Sequence, residues 1–325
     1  MSTSTETRRS DQSIAEDHRV VVAVGGASSG KGAATWAAAE ATRLGLPLQI
    51  VGAVPVEPNR APLHAPDAAT MERHASATRA RLESLAAGFS GPTTILPVLV
   101  VEGPPAQTIL DQLDASTAVL VLGHRTQSPV QRLTGGSTSI AIAGRSPVPV
   151  TVVPDSWEVV ADDHRGVVVA MSLEGVDGAY RTDEDVLTTA FERARALEAP
   201  LEVVHAWQVP ALLSWSPADI ASFGRRVKEA LGEVLRPWLE RFADVELTVS
   251  PVAGRPIDVV EDASATAQLV VLGRHTPARR HGGFHLGSTT REALHHAHAP
   301  VLVVPVVQAA HQHQDPHGAD WAPTF

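Results

Sequence analysis

Short, uniformly apolar runs rich in β-branched residues alternate along the chain with longer stretches whose apolar residues recur at helical spacing. That alternation is the pattern of βαβ units built on a parallel sheet. Strands are predicted at Val20 to Val24, Leu48 to Val54, Thr93 to Val101, Val119 to Leu122 and Val148 to Val153, and again at Val167 to Ala170, Leu201 to Trp207, Glu246 to Val252, Leu269 to Leu272 and Val301 to Val304. Strands this apolar are expected to be buried on both faces. Amphipathic helices are predicted over Lys31 to Leu44 and Asp183 to Leu197, each followed one strand later by a longer helix, Asp67 to Ala87 and Pro217 to Phe242. Pro237 should kink or shorten the last of these, because proline lacks the N–H and crowds the preceding turn.

The two sets of strands repeat one another. Pro149-Val150-Thr151-Val152-Val153-Pro154 recurs 151 positions on as Pro300-Val301-Leu302-Val303-Val304-Pro305, and Gly103 with Gly254 and Gly136-Ser137 with Gly287-Ser288 keep the same spacing. Val119 to Gly123 recurs at Leu269 to Gly273, and Leu46-Pro47-Leu48 at Ala199-Pro200-Leu201. A period this long is duplication of a whole domain rather than a solenoid. The expected organisation is a disordered polar tail over 1–18, a first domain over 19–154, a proline-capped acidic linker over 155–164, a second domain over 165–306 and a His-rich disordered tail over 307–325.

Composition narrows the function. With 325 residues, 44% of them hydrophobic, the chain is long enough for two domains that each bury a core. A net charge of −10 argues against a nucleic-acid partner, which needs a basic face, and Arg279-Arg280-His281 is only a local exception. The absence of cysteine rules out disulfides and thiolate metal sites. No apolar run approaches the ~20 residues that cross a bilayer, and Met1 to Asp17 is charged and Ser/Thr-rich, so no membrane partner and a cytoplasmic location are expected.

Candidate chemistry lies after the fourth strand of each half. Gly123-His124-Arg125-Thr126 is followed after nine residues by Gly136-Ser137-Thr138, and Gly273-Arg274-His275-Thr276 after ten residues by Gly287-Ser288-Thr289. Glycines let backbone approach a ligand closely, free N–H groups at a helix start point at an anion, and the hydroxyls donate, so each loop suits a phosphate. The alternative is an ordinary helix start. A second candidate, Gly25-Gly26-Ala27-Ser28-Ser29-Gly30-Lys31-Gly32, follows a strand like a P-loop, but Gly32 stands where a hydroxyl would hold Mg²⁺. Its Ser28, Ser29 and Lys31 either line the same cleft or form a solvated turn. Arg274, Arg279 and Arg280 are read as loop residues, either solvated or reaching a polyphosphate or an acidic partner. His295, His296 and His298 should complement the dipole of the last helix rather than bind a metal. Zincin and dinucleotide motifs are missing from the sequence.

The loops resemble the G-x2-G-x9-G-[ST] loop of ATP-binding universal stress proteins, and Ala299-Pro300-Val301 is similar to the family's last strand. That resemblance implies an α/β fold of two tandem doubly wound parallel five-stranded sheets, Rossmann-like or flavodoxin-like and of the adenine nucleotide alpha hydrolase-like kind. It further implies ATP, with or without Mg²⁺, held by Gly25, Gly26, Ser28, Gly123, Arg125, Thr126, Gly136, Ser137 and Thr138 in the first half. In the second half the matching residues are Ser172, Gly273, His275, Thr276, Gly287, Ser288 and Thr289. The implied protein is a stress-response regulator with little or no turnover, an intramolecular pseudo-dimer able to form a homodimer, acting on a regulatory protein partner. Two departures stand out: Thr126 and Thr276 replace the loop's second glycine, and Gly25 and Ser172 replace the Asp that ends the first strand in ATP-binding members. Val176-Asp177-Gly178 is a candidate substitute for that Asp. The first half, with its nine-residue spacing, is the expected binder, and an interaction scaffold or a slow ATPase remain the alternatives.

Overall fold

The computed structural model describes residues 18–25, 30–55, 68–124, 138–160, 163–172, 174–176, 179–181, 184–208, 216–274 and 286–306. The first half runs β1 (Arg19–Ala23), α1 (Lys31–Leu44), β2 (Leu48–Val54), α2 (Ala68–Ala87), β3 (Leu99–Glu102), α3 (Pro105–Leu110), β4 (Thr117–His124), α4 (Thr138–Ala143) and β5 (Val150–Pro154). The second runs β6 (Gly166–Ala170), β7 (Glu174–Val176), β8 (Ala179–Arg181), α5 (Glu184–Ala196), β9 (Leu201–Trp207), α6 (Pro217–Arg241), β10 (Leu247–Ala253), α7 (Pro256–Ser264), β11 (Ala267–Arg274), α8 (Ser288–His296) and β12 (Val301–Pro305).

Within each half the strands pair in parallel, in the order β3-β2-β1-β4-β5 and its repeat β10-β9-β6-β11-β12. The two five-stranded sheets of the pseudo-dimer join edge to edge into one of ten strands, because β5 and β12 pair antiparallel through Val152 with Val301, Thr151 with Leu302 and Val150 with Val303. Fusion covers two strand edges whose side chains are almost wholly buried and which would otherwise template aggregation.

Alternate residues of the strands feed two hydrophobic layers. Val20 and Val22 face a cluster with α1, α2, α5 and α6, while Val21 and Ala23 face a second cluster with α3, α4, α7 and α8. Both clusters run through the two halves. Gly52 of β2 lets α2 lie close on the sheet, since a Cβ there would come within 2.8 Å of Leu82 Cδ1.

Three local differences from the sequence pattern have physical causes. The third strand is shorter than expected because Pro97 cannot join a ladder, leaving only an isolated bridge between Leu48 and Ile95 before β3 begins at Leu99. Helix α6, started by a Ser216–Asp219 capping box with Pro217 in its first turn, is not cut short at Pro237. Packing holds its last turn: Trp238 Nε1 donates to Thr188 Oγ1 of α5 at 3.1 Å, and Phe242 just beyond stacks on Phe191. The insertion after β6 forms the small antiparallel hairpin β7–β8.

Candidate functional site

Strand order reverses beside β1 and again beside β6, and open α/β sheets bind ligands in the crevice outside the carboxyl ends of such strands. In the first half β1 leads through Val24 into Gly25. A Cβ on Gly25 would meet nothing within 4 Å, so its backbone faces open space, and its carbonyl accepts a hydrogen bond from Arg81 Nη2 of α2 at 3.2 Å. Helix α1 starts at Lys31 with Gly30 as N-cap and no side-chain cap. Gly30 can be nothing larger without movement, since a Cβ would lie 2.3 Å from Val24 Cγ1. Gly32 faces the linker: a Cβ there would lie 3.5 Å from the carbonyl oxygen of Trp157, so the position that would carry the metal-binding hydroxyl of a P-loop points at the linker instead.

On the neighbouring strand Gly123 is half-buried and His124, the last residue of β4, is buried. His124 Nδ1 lies 3.1 Å from Ser139 Oγ in the first turn of α4, which Thr138 opens from an exposed position. Gly26, Ser28, Ser29, Arg125, Thr126, Gly136 and Ser137 lie outside the described residues.

The second half brings more of its expected residues into view. Ser172, exposed beyond β6, follows Met171, whose carbonyl accepts from His205 Nδ1 of β9 at 2.9 Å. Gly273 is buried near the end of β11, and its carbonyl accepts from Thr290 Oγ1 in the first turn of α8 at 3.1 Å. That bond draws the helix start to the strand end. Gly287 is the N-cap and no side chain caps the helix, while Ser288 is exposed and Thr289 half-buried. Gly273, Gly287, Ser288 and Thr289 therefore sit together, with first-turn N–H groups and hydroxyls suited to an anion. His275, Thr276, Arg279, Arg280, Asp177 and Gly178 lie outside the described residues.

Arg274 departs from expectation. It is neither a solvated loop residue nor a reaching one: it ends β11, is only 7% exposed, and its Nη1 donates to the Ser146 carbonyl of the other half at 2.6 Å. The fusion of β5 with β12 brings that carbonyl alongside, which a single-domain reading of the loop could not foresee. Burial lowers the Arg274 pKa from its usual value. His295 lies on α8 with its ring centroid 5.4 Å from that of His124, edge to face, so it too belongs to the junction between halves. His296 approaches Glu292 one turn back at 3.5 Å, and the His298 N–H donates to Ser264 Oγ. Among the described residues no group of three or more His, Asp or Glu is placed to hold a metal ion. His124, Ser139 and Arg81 were not read as site residues from sequence; the signal for His124 was its place directly after the strand-end glycine.

Fold and strand-end loops together define a duplicated, doubly wound α/β protein with one candidate site per half. The universal stress protein family model matches residues 18–154 and again 173–305, and the chain belongs to that family. A universal stress protein of Mycobacterium tuberculosis (strain ATCC 25618 / H37Rv) is 29% identical over 296 residues, covering 89% of this chain and 97% of that protein. A second from the same strain is 27% identical over 313 residues, covering 89% and 95%. Among solved structures, a universal stress protein from Archaeoglobus fulgidus DSM 4304 covers 90% of this chain and 99% of its own with a TM-score of 0.61 at 15% identity. A putative universal stress protein from Pseudomonas aeruginosa UCBPP-PA14 covers 90% and 95% with a TM-score of 0.55 at 16% identity. At such identities the structural likeness concerns the fold.

Proposed function

We propose that the chain is an ATP-binding regulator of the stress response, working in the cytoplasm with little or no turnover and acting through a protein partner. Its functional units are residues 19–154 and 165–306, joined by the linker 155–164. The observation that carries this reading is the cradle of the second half, where the Thr290–Gly273 bond sets an uncapped Gly-Ser-Thr helix start against the end of β11. Its counterpart recurs in sequence in the first half. A Cβ on Gly25 or Gly287 would meet nothing within 4 Å, and backbone open to close approach at both strand-end loops supports this reading. Phosphates would lie on the helix starts and hydroxyls, and Mg²⁺ would enter as the nucleotide's own counterion. At the ends of β1, β4, β6 and β11 the described residues are Val24 and Gly25, Gly123 and His124, Met171 and Ser172, and Gly273 and Arg274. With β5 and β12 already paired, a homodimer of the full chain would use the outer strands β3 or β10.

A scaffold that works through its surfaces is the second reading, favoured by the commitment of Arg274 to the junction between halves. Calorimetry of nucleotide-stripped protein with ATP, with and without Mg²⁺, separates the two. Saturable binding weakened by Gly287→Asp or Gly136→Asp is the expected result. No binding at millimolar ATP sinks the regulator reading, and sustained phosphate release lost on Ser137→Ala would make the protein an enzyme.

A further inference from the structure

The contacts around the β5–β12 junction form a closed circuit through both candidate sites. Ser139, in the first turn of α4, lies 3.1 Å from His124, the residue after Gly123. His124 meets His295 of α8 across the junction, with centroids 5.4 Å apart. Thr290, in the first turn of that same helix, bonds the Gly273 carbonyl. Arg274, the next residue, reaches back across the junction to the Ser146 carbonyl, and the Ser146 N–H donates to Ile142 of α4 at 2.8 Å. Ser139 and Thr290 are equivalent positions of the repeat, as are His124 and Arg274. Each half thus sends the residue after its strand-end glycine to the short segment that carries the other half's helix start.

We propose that Arg274 and His124 are positioning residues for the opposite half: Arg274 sets the α4 segment of the first site, and His124, through His295, sets the α8 cradle of the second. The two sites are coupled as a result. This rests on the strand-end loops being ligand sites. A buried arginine donor and a ring contact are each specific enough in geometry that losing one lets the helix it restrains shift.

Hydrogen exchange of the full chain without nucleotide tests the circuit first. Arg274→Met should speed exchange of segment 138–146 by about fivefold or more, with Arg274→Lys, which keeps a donor, moving back toward wild type. His124→Ala should do the same to segment 286–297, with His124→Asn intermediate. Changes confined to the mutated half, or spread evenly over the chain with a matching fall in the urea midpoint, would overturn the proposal. ATP calorimetry follows, in a chain whose second cradle is blocked by Gly287→Asp. There Arg274→Met should weaken first-half binding by about fivefold or more although Arg274 belongs to the other half. Unchanged affinity would sink the positioning role. Cross-half exchange effects in a protein that binds no ATP would instead leave the circuit standing and refute the nucleotide reading.

Discussion

Asp114, in the turn before β4, accepts hydrogen bonds from the Ser116 hydroxyl at 2.6 Å, the Ser116 N–H at 3.0 Å and Arg19 Nη2 at 3.1 Å. These hold its pKa at about 2, the Ser116 hydroxyl contributing most and the Arg19 charge adding to it. Because Arg19 begins β1, the carboxylate ties the first strand to the fourth at the end of the sheet opposite the candidate site. A carboxylate with a folded pKa below its unfolded value of about 4 adds stability above that pH and loses it as pH falls toward 2. The side chain is more than half exposed, so solvent screening limits the contribution to about 1 kcal/mol or less. Asp114→Asn is expected to lower the urea midpoint at pH 7, and the gap from wild type should close as the pH of the measurement is stepped from 5 toward 2. A gap that stays constant with pH would show that the charge is not what matters.

Helices α1 and α5 meet across the junction at one buried carboxylate. Glu40 is 1% exposed and is clamped by Arg43 from its own helix and by Arg193 from α5. Removing one partner leaves a buried charge only half compensated, so Arg193→Met should cost about 2 kcal/mol, less than the ~3–5 of a buried pair stripped of its only partner. The double variant Glu40→Met, Arg193→Met should recover much of that loss, because apolar side chains of similar size can replace a buried ion pair. Denaturant titration of the single and double variants measures both effects, and additive losses would show that the pair does not interact. Sequence periodicity located α1 and α5 almost to the residue, since each carries its own amphipathic pattern. It could not show that Glu40 faces Arg193, because nothing in a single helix marks which polar residue on its inner face will find a charge 153 positions away. The same limit explains the site: the glycines and helix starts are local signals and were legible, whereas the inward turn of Arg274 and His124 depends on which strand edges pair. The short helices α3 and α7 were missed for a different reason, being too brief to establish a 3.6-residue period; Pro105 and Pro256 at their starts were the available markers.

The whole molecule is one sheet because β5 and β12 are near copies that meet antiparallel, and the register of that meeting has a consequence for the first half alone. Thr151 pairs with Leu302, its own equivalent in the repeat, so the centre of the junction is also the centre of the pseudo-two-fold relation. Replacing β12 by a second β5 would preserve the register, with Val150 opposite Val152 and Thr151 opposite Thr151. In the full chain the Thr151 hydroxyl is buried without a hydrogen-bond partner, an arrangement that costs stability. Two threonines facing each other on the axis could satisfy one another. A fragment spanning residues 1–160 would bare the apolar edge of β5, and it is expected to form a symmetric dimer through that edge. Thr151→Lys should disrupt the dimer by placing two like charges on the axis. Sedimentation equilibrium decides the matter: a folded monomer at micromolar concentration, or a dimer indifferent to Thr151→Lys, would show that the β5 edge does not drive association.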